Sequence, residues 1–309
     1  MSLLSAAHGI GSTVFSNLFI RLPYPNADLR GQTIIVTGSN TGLGFESSQH
    51  FARLGVGKLI MAVRNLQKGE AARKEILQSS GREENSIEVW ELDLNSYTSV
   101  KSFAARVAHL RRLDAVLANA GIWATTFDMS EDNEKTITVN VVSNFLLCLL
   151  LIPKLRESAE NFNITPRFVI VNTAIHYWTP LKELDPDANI FTTLNNPKTA
   201  DIASRYGVSK LLVIFGVREL VERLQTSKKP LVVVNTPNPS YCKSDLLREL
   251  PANFGARVGE KLMARTTEMG SRALVHALLS GRESNGQYMT NCHIQRYAGI
   301  PLYKCRKVC

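Results

Sequence analysis

Cysteine is scarce in this chain, with five in 309 residues: Cys148, Cys242, Cys292, Cys305 and Cys309. An odd count with no C-x-x-C pair argues against a disulfide framework and against a zinc site of the usual spacing. The six histidines are dispersed, and Cys292 beside His293 reads as the end of a strand, so no metal is expected. Internal repeats, low-complexity tracts and linkers rich in Pro, Gly or Ser are missing, which speaks for one domain. Long apolar runs are missing as well. Phe145 to Ile152 is too short to cross a bilayer and reads as a buried helix. The apolar stretch from Leu3 to Leu22 has no basic leader and contains His8, Gly9, Gly11, Ser12, Ser16 and Asn17, so it fits neither a signal peptide nor a strong membrane span. A short helix docked on the body is expected there, with weak contact to a membrane surface as the alternative. The expected location is cytoplasmic. No basic block is present either: the net charge is +9, but Lys and Arg are interspersed with Asp and Glu. Nucleic acid is therefore not the expected partner, and one anionic cofactor accounts for the excess.

What the chain does have is rhythm. Strand-like runs at Thr33 to Val36, Leu59 to Val63, Ile87 to Leu92, Ala115 to Ala118, Phe168 to Val171, Leu231 to Asn235 and a short one near Tyr288 alternate with stretches long enough for crossover helices. Alternation of this kind predicts an α/β fold with a mostly parallel sheet covered on both faces, in three layers. The body runs over 31–296, preceded by an N-terminal extension (1–30) and followed by a tail (297–309). An irregular insertion over 179–204 carries prolines, asparagines and acids. It falls where loops cover ligands in such folds, and we read it as a substrate lid.

Directly after the first strand comes Thr37-Gly38-Ser39-Asn40-Thr41-Gly42-Leu43-Gly44, followed by a helical stretch. Glycines let the chain turn tightly and bring backbone N–H groups close to a pyrophosphate, and the helix start adds partial positive charge. The expected fold is thus a Rossmann-type, doubly wound sheet whose nucleotide contacts include Gly38, Asn40, Thr41, Gly42, Leu43 and Gly44. The second strand ends in Ala62-Val63-Arg64, where an acid would select NAD through the ribose hydroxyls. A guanidinium there suits a 2′-phosphate, so Arg64 points to NADP(H). Asp93 and Leu94, at the end of the third strand, fall near the expected adenine.

Two further motifs complete a pattern, Asn119-Ala120-Gly121 after the fourth strand and Tyr206-Gly207-Val208-Ser209-Lys210, and Thr138-Val139-Asn140 marks a branch within it. Together with the glycine loop they resemble the short-chain dehydrogenase/reductase family over roughly residues 20–297. Val63-Arg64-Asn65, His176-Tyr177-Trp178 and Arg265-Thr266-Thr267 place the resemblance nearest the retinol-dehydrogenase-like branch and its fungal secondary-metabolite members. The resemblance implies catalytic roles for Tyr206, Lys210, Thr173 and Asn140. It also implies nucleotide contacts from Asn119, Ala120, Gly121, Tyr206, Lys210, Pro239 and Ser244, and a homodimer as one possible assembly.

The spacing suits the chemistry. Tyr206 and Lys210 stand four apart on one helix face. Bringing a phenol from pH 10 to about 7 takes roughly 4 kcal/mol, and an ammonium at about 4 Å in a medium of dielectric near 20 supplies that. Lys210 is therefore expected to acidify Tyr206, and Asn140 to keep a water path to Lys210. Departures from the family pattern stand beside this. Asn172-Thr173 replaces Ser-Ser, putting Thr173 in the catalytic serine's place, where its hydroxyl keeps donor and acceptor capacity. Ser240 replaces a glycine after Pro239, so that a side chain is expected in a backbone-tight position. Ser143 replaces another glycine. The expected activity is reduction of a ketone, or oxidation of a secondary alcohol, of a hydrophobic small molecule, plausibly a secondary-metabolite intermediate. The rival reading is a redox-silent protein that uses the nucleotide-bound fold as a scaffold.

Overall fold

The computed structural model describes residues 11, 13–177, 179, 189–243, 246 and 263–295. In chain order these form a short helix α1 (13–19), β1 (Thr33–Thr37), α2 (Gly42–Arg53), β2 (Lys58–Val63), α3 (Leu66–Ser80), β3 (Ile87–Glu91), α4 (Tyr97–Ala108) and β4 (Ala115–Ala118). A small hairpin, β5 (Met129–Ser130) and β6 (Asn133–Glu134), leads into α5 (Lys135–Ile137) and α6 (Ser143–Phe162), joined by a π-helical stretch over Thr138–Val142. After β7 (Arg167–Ile170) come α7 (Ile190–Leu194), α8 (Ile202–Gln225), β8 (Val233–Asn238), α9 (Thr267–Leu279), β9 (Tyr288–Thr290) and β10 (His293–Ile294).

The large sheet has the order β10-β9-β8-β7-β4-β1-β2-β3, parallel throughout except for β10 on β9. Central strands buried on both faces read as unbroken apolar runs, and all five residues of β1 are buried. Alternate side chains divide the core. Ile34 and Val36 of β1 pack with Phe51, Ile76 and Leu274 on the α2, α3 and α9 face. Ile35 packs with Phe103, Leu147 and Val213 on the α4, α6 and α8 face. The sequence order of β1, β2 and β3 runs one way from β1, and β4, β7 and β8 run the other. The carboxyl ends of β1 and β4 therefore flank the crevice where ligands bind in open sheets.

Several local expectations need correction. The apolar run at Phe145 to Ile152 belongs to a 28-residue helical segment, Lys135–Phe162, long and apolar enough by length and composition to cross a membrane. Its most apolar window has a mean hydropathy of 2.0, and 67% of that window is buried inside the protein. Its apolarity serves the core: Leu147, Leu151 and Leu155 are fully enclosed. The sixth strand runs to Asn238 rather than Asn235, because β8 pairs with β7 up to Asn235 and then with β9 from Thr236. Pro237 lacks an N–H, yet it stands beyond the end of β7, where its carbonyl accepts from the Asn172 N–H at 2.7 Å. The β5–β6 and β9–β10 hairpins contain two-residue strands, too short for a period-2 signal.

The described part of the insertion from Asn189 onward is tied to the body. Asn189 caps α7, and the next loop is stitched to the β5–β6 hairpin by the Asn195 carboxamide. That group accepts from Glu134 N–H at 2.8 Å and donates to the Asp132 carbonyl at 3.0 Å and Asn133 Oδ1 at 3.1 Å. Residues 180–188 of the proposed lid, Trp178, Ser244 and the tail 297–309 lie outside the described residues.

Leu147 is fully buried, whereas Leu149 on the same helix is 54% exposed. Leu147→Lys should cost several kcal/mol and prevent cooperative folding, while Leu149→Lys should stay within about 0.5 kcal/mol of the parent in urea unfolding. Equal effects of the two would show that α6 is not packed as described.

Candidate active site

The glycine loop owes its shape to close approach. Gly38 and Gly42 have φ of +63° and +58°, the left-handed region. A Cβ on Gly44 would overlap the Gly38 carbonyl oxygen and lie 2.5 Å from Asn119 Nδ2. Asn119 Nδ2 donates to the carbonyls of Thr37 at 3.0 Å and Gly38 at 3.3 Å, and the Ala120 N–H donates to Thr37 Oγ1 at 2.9 Å. The Asn119-Ala120-Gly121 turn thereby fastens β4 to β1 at the crevice. Helix α2 starts behind Thr41 with no side-chain capping bond and no acid in its first turn. By contrast, α3, α4, α7, α8 and α9 are capped by Asn65, Ser96, Asn189, Asp201 and Thr266. Thr41 is exposed, Asn40 and Leu43 are half-buried, and the space beside Gly42 is open. Arg64 is exposed immediately beyond β2. Asp93 Oδ1 accepts from the backbone and side-chain N–H of Asn95, both at 2.9 Å, and the carbonyl of buried Leu94 accepts from Ser143 Oγ at 2.6 Å.

On the other side of the crevice, α8 carries Tyr206 and Lys210, both buried. Lys210 Nζ donates to the Val171 carbonyl at 2.7 Å and stands 5.7 Å from the centre of the Tyr206 ring. Asn172 binds three elements together: its Nδ2 donates to the Lys210 carbonyl at 3.0 Å, its N–H to Pro237, and its Oδ1 accepts from the Thr173 N–H at 2.8 Å. Thr173 is half-buried, and its carbonyl accepts from His176 Nδ1 at 2.5 Å. That bond places the proton of His176 on Nδ1. Burial moves the imidazole down to about 4, so the ring stays neutral.

Asn140 sits in the π-helical stretch, a geometry found often at functional sites. Its Oδ1 accepts from Ile122 N–H at 2.9 Å, and its Nδ2 donates to the Ile122 carbonyl at 2.9 Å and to Ser209 Oγ at 3.0 Å. A Cβ on Gly121 would lie 3.1 Å from Asn140 Oδ1 and 3.7 Å from Lys210 Nζ. Lys210, Asn140 and Gly121 are therefore one cluster. Both N–H donors of the Asn140 amide are spent on protein groups, so Asn140 clamps the segment before Trp123 to α8.

Residues 32–178 match the family profile described as short chain dehydrogenase. The chain is 45% identical over 285 residues to the short chain dehydrogenase/reductase dmxR8 of Cryptosporiopsis sp., covering 91% of this chain and 87% of the relative. It is 41% identical to the short chain dehydrogenase atnD of Emericella nidulans over 96% of both chains. The chain belongs to the short-chain dehydrogenase/reductase family. Its fold matches an Escherichia coli short chain dehydrogenase solved as a complex with NADPH, with a TM-score of 0.64, 22% identity, and coverage of 86% of this chain and 99% of that one. A Pseudomonas syringae short chain dehydrogenase gives a TM-score of 0.65 at 20% identity, covering 88% of this chain and 99% of that one.

For a dehydrogenase of this family, the electrostatics differ from the simple expectation. Burial pushes the Tyr206 phenol above its ordinary range and draws the Lys210 ammonium down to about 8. The ammonium donates to a backbone carbonyl, and desolvation dominates both groups. Tyr206 thus holds its proton at neutral pH, the form a general acid requires.

Two features of the site escaped the sequence. Trp123, two residues beyond the Asn119-Ala120-Gly121 turn, stacks on Tyr206 with ring centres 4.4 Å apart and planes 8° from parallel. The clamp from Asn140 to Ile122 fixes the backbone just before it. Second, Arg205 and Glu134 are both completely buried, with Nη1 and Oε2 3.7 Å apart. Glu134 also accepts from the N–H groups of Thr136 and Ile137, and Arg205 donates to the Leu194 carbonyl. The residue preceding Tyr206 is thus anchored to α5 and to the returning limb of the insertion. Gly207, on the other side of Tyr206, admits Thr179, whose hydroxyl a Cβ there would overlap.

The departures from the family pattern find partners. Ser143 bonds Leu94, as noted above. Ser240 takes the left-handed conformation at φ +68°, and its hydroxyl donates to Asn17 Oδ1 at 2.7 Å. Its side chain is thereby directed at the N-terminal helix, contrary to the expected crowding. Pro239 is buried beside it.

The depressed Lys210 has a stability consequence of fixed sign. An unfolded lysine titrates near 10.5 and the folded one near 8, so between these values the unfolded chain binds more protons and stability rises with pH. Lys210→Met removes that dependence. The stability of the variant minus that of the parent should fall by about 3 kcal/mol from pH 8 to pH 10.5 in chemical denaturation; a constant difference contradicts the buried ammonium.

Proposed function

We propose that this chain is an NADP(H)-dependent oxidoreductase that reduces a ketone, or oxidises a secondary alcohol, of a hydrophobic small molecule in a secondary-metabolite pathway. The observation that carries the reading is the cluster of buried Tyr206, Lys210 and Asn140 beside Gly121, across the crevice from a glycine loop. The residues present fit a dinucleotide. The start of α2 lacks a side-chain cap and an acid, the loop beside Gly42 is open, and Ser39 Oγ is enclosed without a partner. An anionic pyrophosphate complements such a helix start. Gly38, Asn40, Thr41, Gly42, Leu43 and Gly44 would hold it, Arg64 the 2′-phosphate, Asp93 and Leu94 the adenine, and Asn119, Ala120, Gly121, Pro239 and Ser244 the remainder. Support for the phosphorylated form comes from the exposed guanidinium after β2 and from two short chain dehydrogenases of like fold solved as complexes with NADPH and NADP.

When bound, the nucleotide supplies or receives hydride. In reduction Tyr206, kept protonated by burial, gives its phenolic proton to the substrate oxygen, and the Thr173 hydroxyl orients that oxygen. Lys210 is set to offset the negative charge that develops on the phenol, and the partner of its Nζ is the Val171 carbonyl. Trp123 keeps water from one face of the ring.

The redox-silent alternative rests on Asn172-Thr173, on Ser240 and on the divergent tail 297–309, which lies outside the described residues. Asn172 serves as a three-way tie and Ser240 is directed at Asn17, so neither departure by itself dismantles the site.

The test is NADPH consumption across a panel of aryl and alkyl ketones, beside nucleotide binding followed by fluorescence. Tyr206→Phe should lower kcat by at least about a hundredfold with nucleotide affinity retained; binding with no turnover in the parent would favour the scaffold. Arg64→Ser should weaken NADPH about tenfold or more and leave NADH nearly unchanged. A parallel loss of both would remove Arg64 as the phosphate ligand.

A further inference from the structure

Ser240 is one of five non-glycine residues described with positive φ, and it stands where the family pattern has a glycine. A side chain in this conformation persists only when its surroundings over-determine it. Two bonds do so: its N–H donates to Asn238 Oδ1 at 2.9 Å and its Oγ to Asn17 Oδ1 at 2.7 Å. Asn17 lies 223 residues away on α1. The other end of the same carboxamide donates to the carbonyls of Tyr241 and Met263, both at 2.8 Å. These two residues flank segment 244–262, so one side chain grips both of its ends.

The helix that brings Asn17 there is itself fastened. Arg265, 6% exposed, donates through Nη2 to the carbonyls of Ser16 at 2.8 Å and Ile20 at 3.2 Å, to Ser16 Oγ at 2.9 Å and to Asn291 Oδ1 at 3.0 Å. Ser16 Oγ in turn donates to Asn291 Oδ1 at 2.6 Å. Backbone bonds between Arg265 and both Tyr241 and Lys243 carry the attachment into the loop after β8.

We propose that α1 is a working part of the nucleotide site: Asn17 holds Ser240 in the left-handed conformation and so positions the Pro239–Lys243 loop. This rests on the reading that this loop lies beside the nicotinamide half of NADP(H). Asn17 and Ser240 are positioning residues, acting as a replacement for the flexibility of glycine. Where the family pattern has a glycine, a serine here adopts the turn with an external partner.

The three side chains possible at 240 separate the contributions. Ser240→Gly removes the need for the partner, whereas Ser240→Ala keeps the Cβ and removes the bond. Ser240→Ala should raise the Kd for NADPH about fivefold, and Ser240→Gly should leave it within about twofold. In an Asn17→Ala background, Ser240→Ala should add nothing further. Amide hydrogen exchange of residues 241–243, measured without nucleotide, should quicken in Ser240→Ala and Asn17→Ala and not in Ser240→Gly. Independent, multiplying effects of the two alanine substitutions, or unchanged exchange at 241–243, would overturn the proposal. Failure of the parent to bind either nicotinamide nucleotide would instead remove the nucleotide reading, and the exchange measurement would still decide the clamp.

Discussion

The missing side chain at Gly44 is the constraint on which the crevice depends. Because nothing projects there, the first turn of α2 lies against the Gly38 carbonyl and the Asn119 amide, and three elements meet at one point. Any Cβ would push α2 off the sheet. The amide of Asn119 could not then reach Thr37 and Gly38 while the helix kept its place, so the turn after β4 would loosen too. That turn leads to Gly121, Ile122 and Trp123, and through Asn140 to the helix of Tyr206. The glycine-loop side and the Tyr206 side of the crevice are thus joined by one chain of short contacts.

The polarity of the site comes chiefly from backbone. Lys210 faces the Val171 carbonyl, Asn172 faces Lys210 and Pro237, and Asn140 faces Ile122. Carbonyl dipoles satisfy buried donors without introducing a competing full charge. Two ionisable groups can then share a dry environment with each pushed toward neutrality.

Most of the sheet was legible in the sequence because parallel, doubly covered strands leave continuous apolar runs, and glycine-rich turns are local in sequence. Tyr206 and Lys210 were readable for the same reason, being one helical turn apart. What escaped depends on distant partners. Trp123 could be singled out only as an aromatic shortly after a turn; its stacking requires α8 to be in place. Ser240 looked like an intrusion, since its partner Asn17 belongs to a segment more than two hundred residues earlier. Asn140 was assigned to the site, but its partners Ile122 and Ser209 carry no motif of their own. The end of β8 was misjudged because a proline usually ends a strand and here falls where β7 has already stopped.

The ion pair between Glu134 and Arg205 carries an evolutionary consequence. Each group is sealed from water, so deleting one strands the other at a cost of about 3–5 kcal/mol, a large share of a domain's stability. A lineage could exchange the pair for apolar residues with little penalty, but only if both codons changed nearly together. The two positions should therefore drift as a couple among descendants of this gene, and the residue ahead of the tyrosine should record changes made seventy positions upstream.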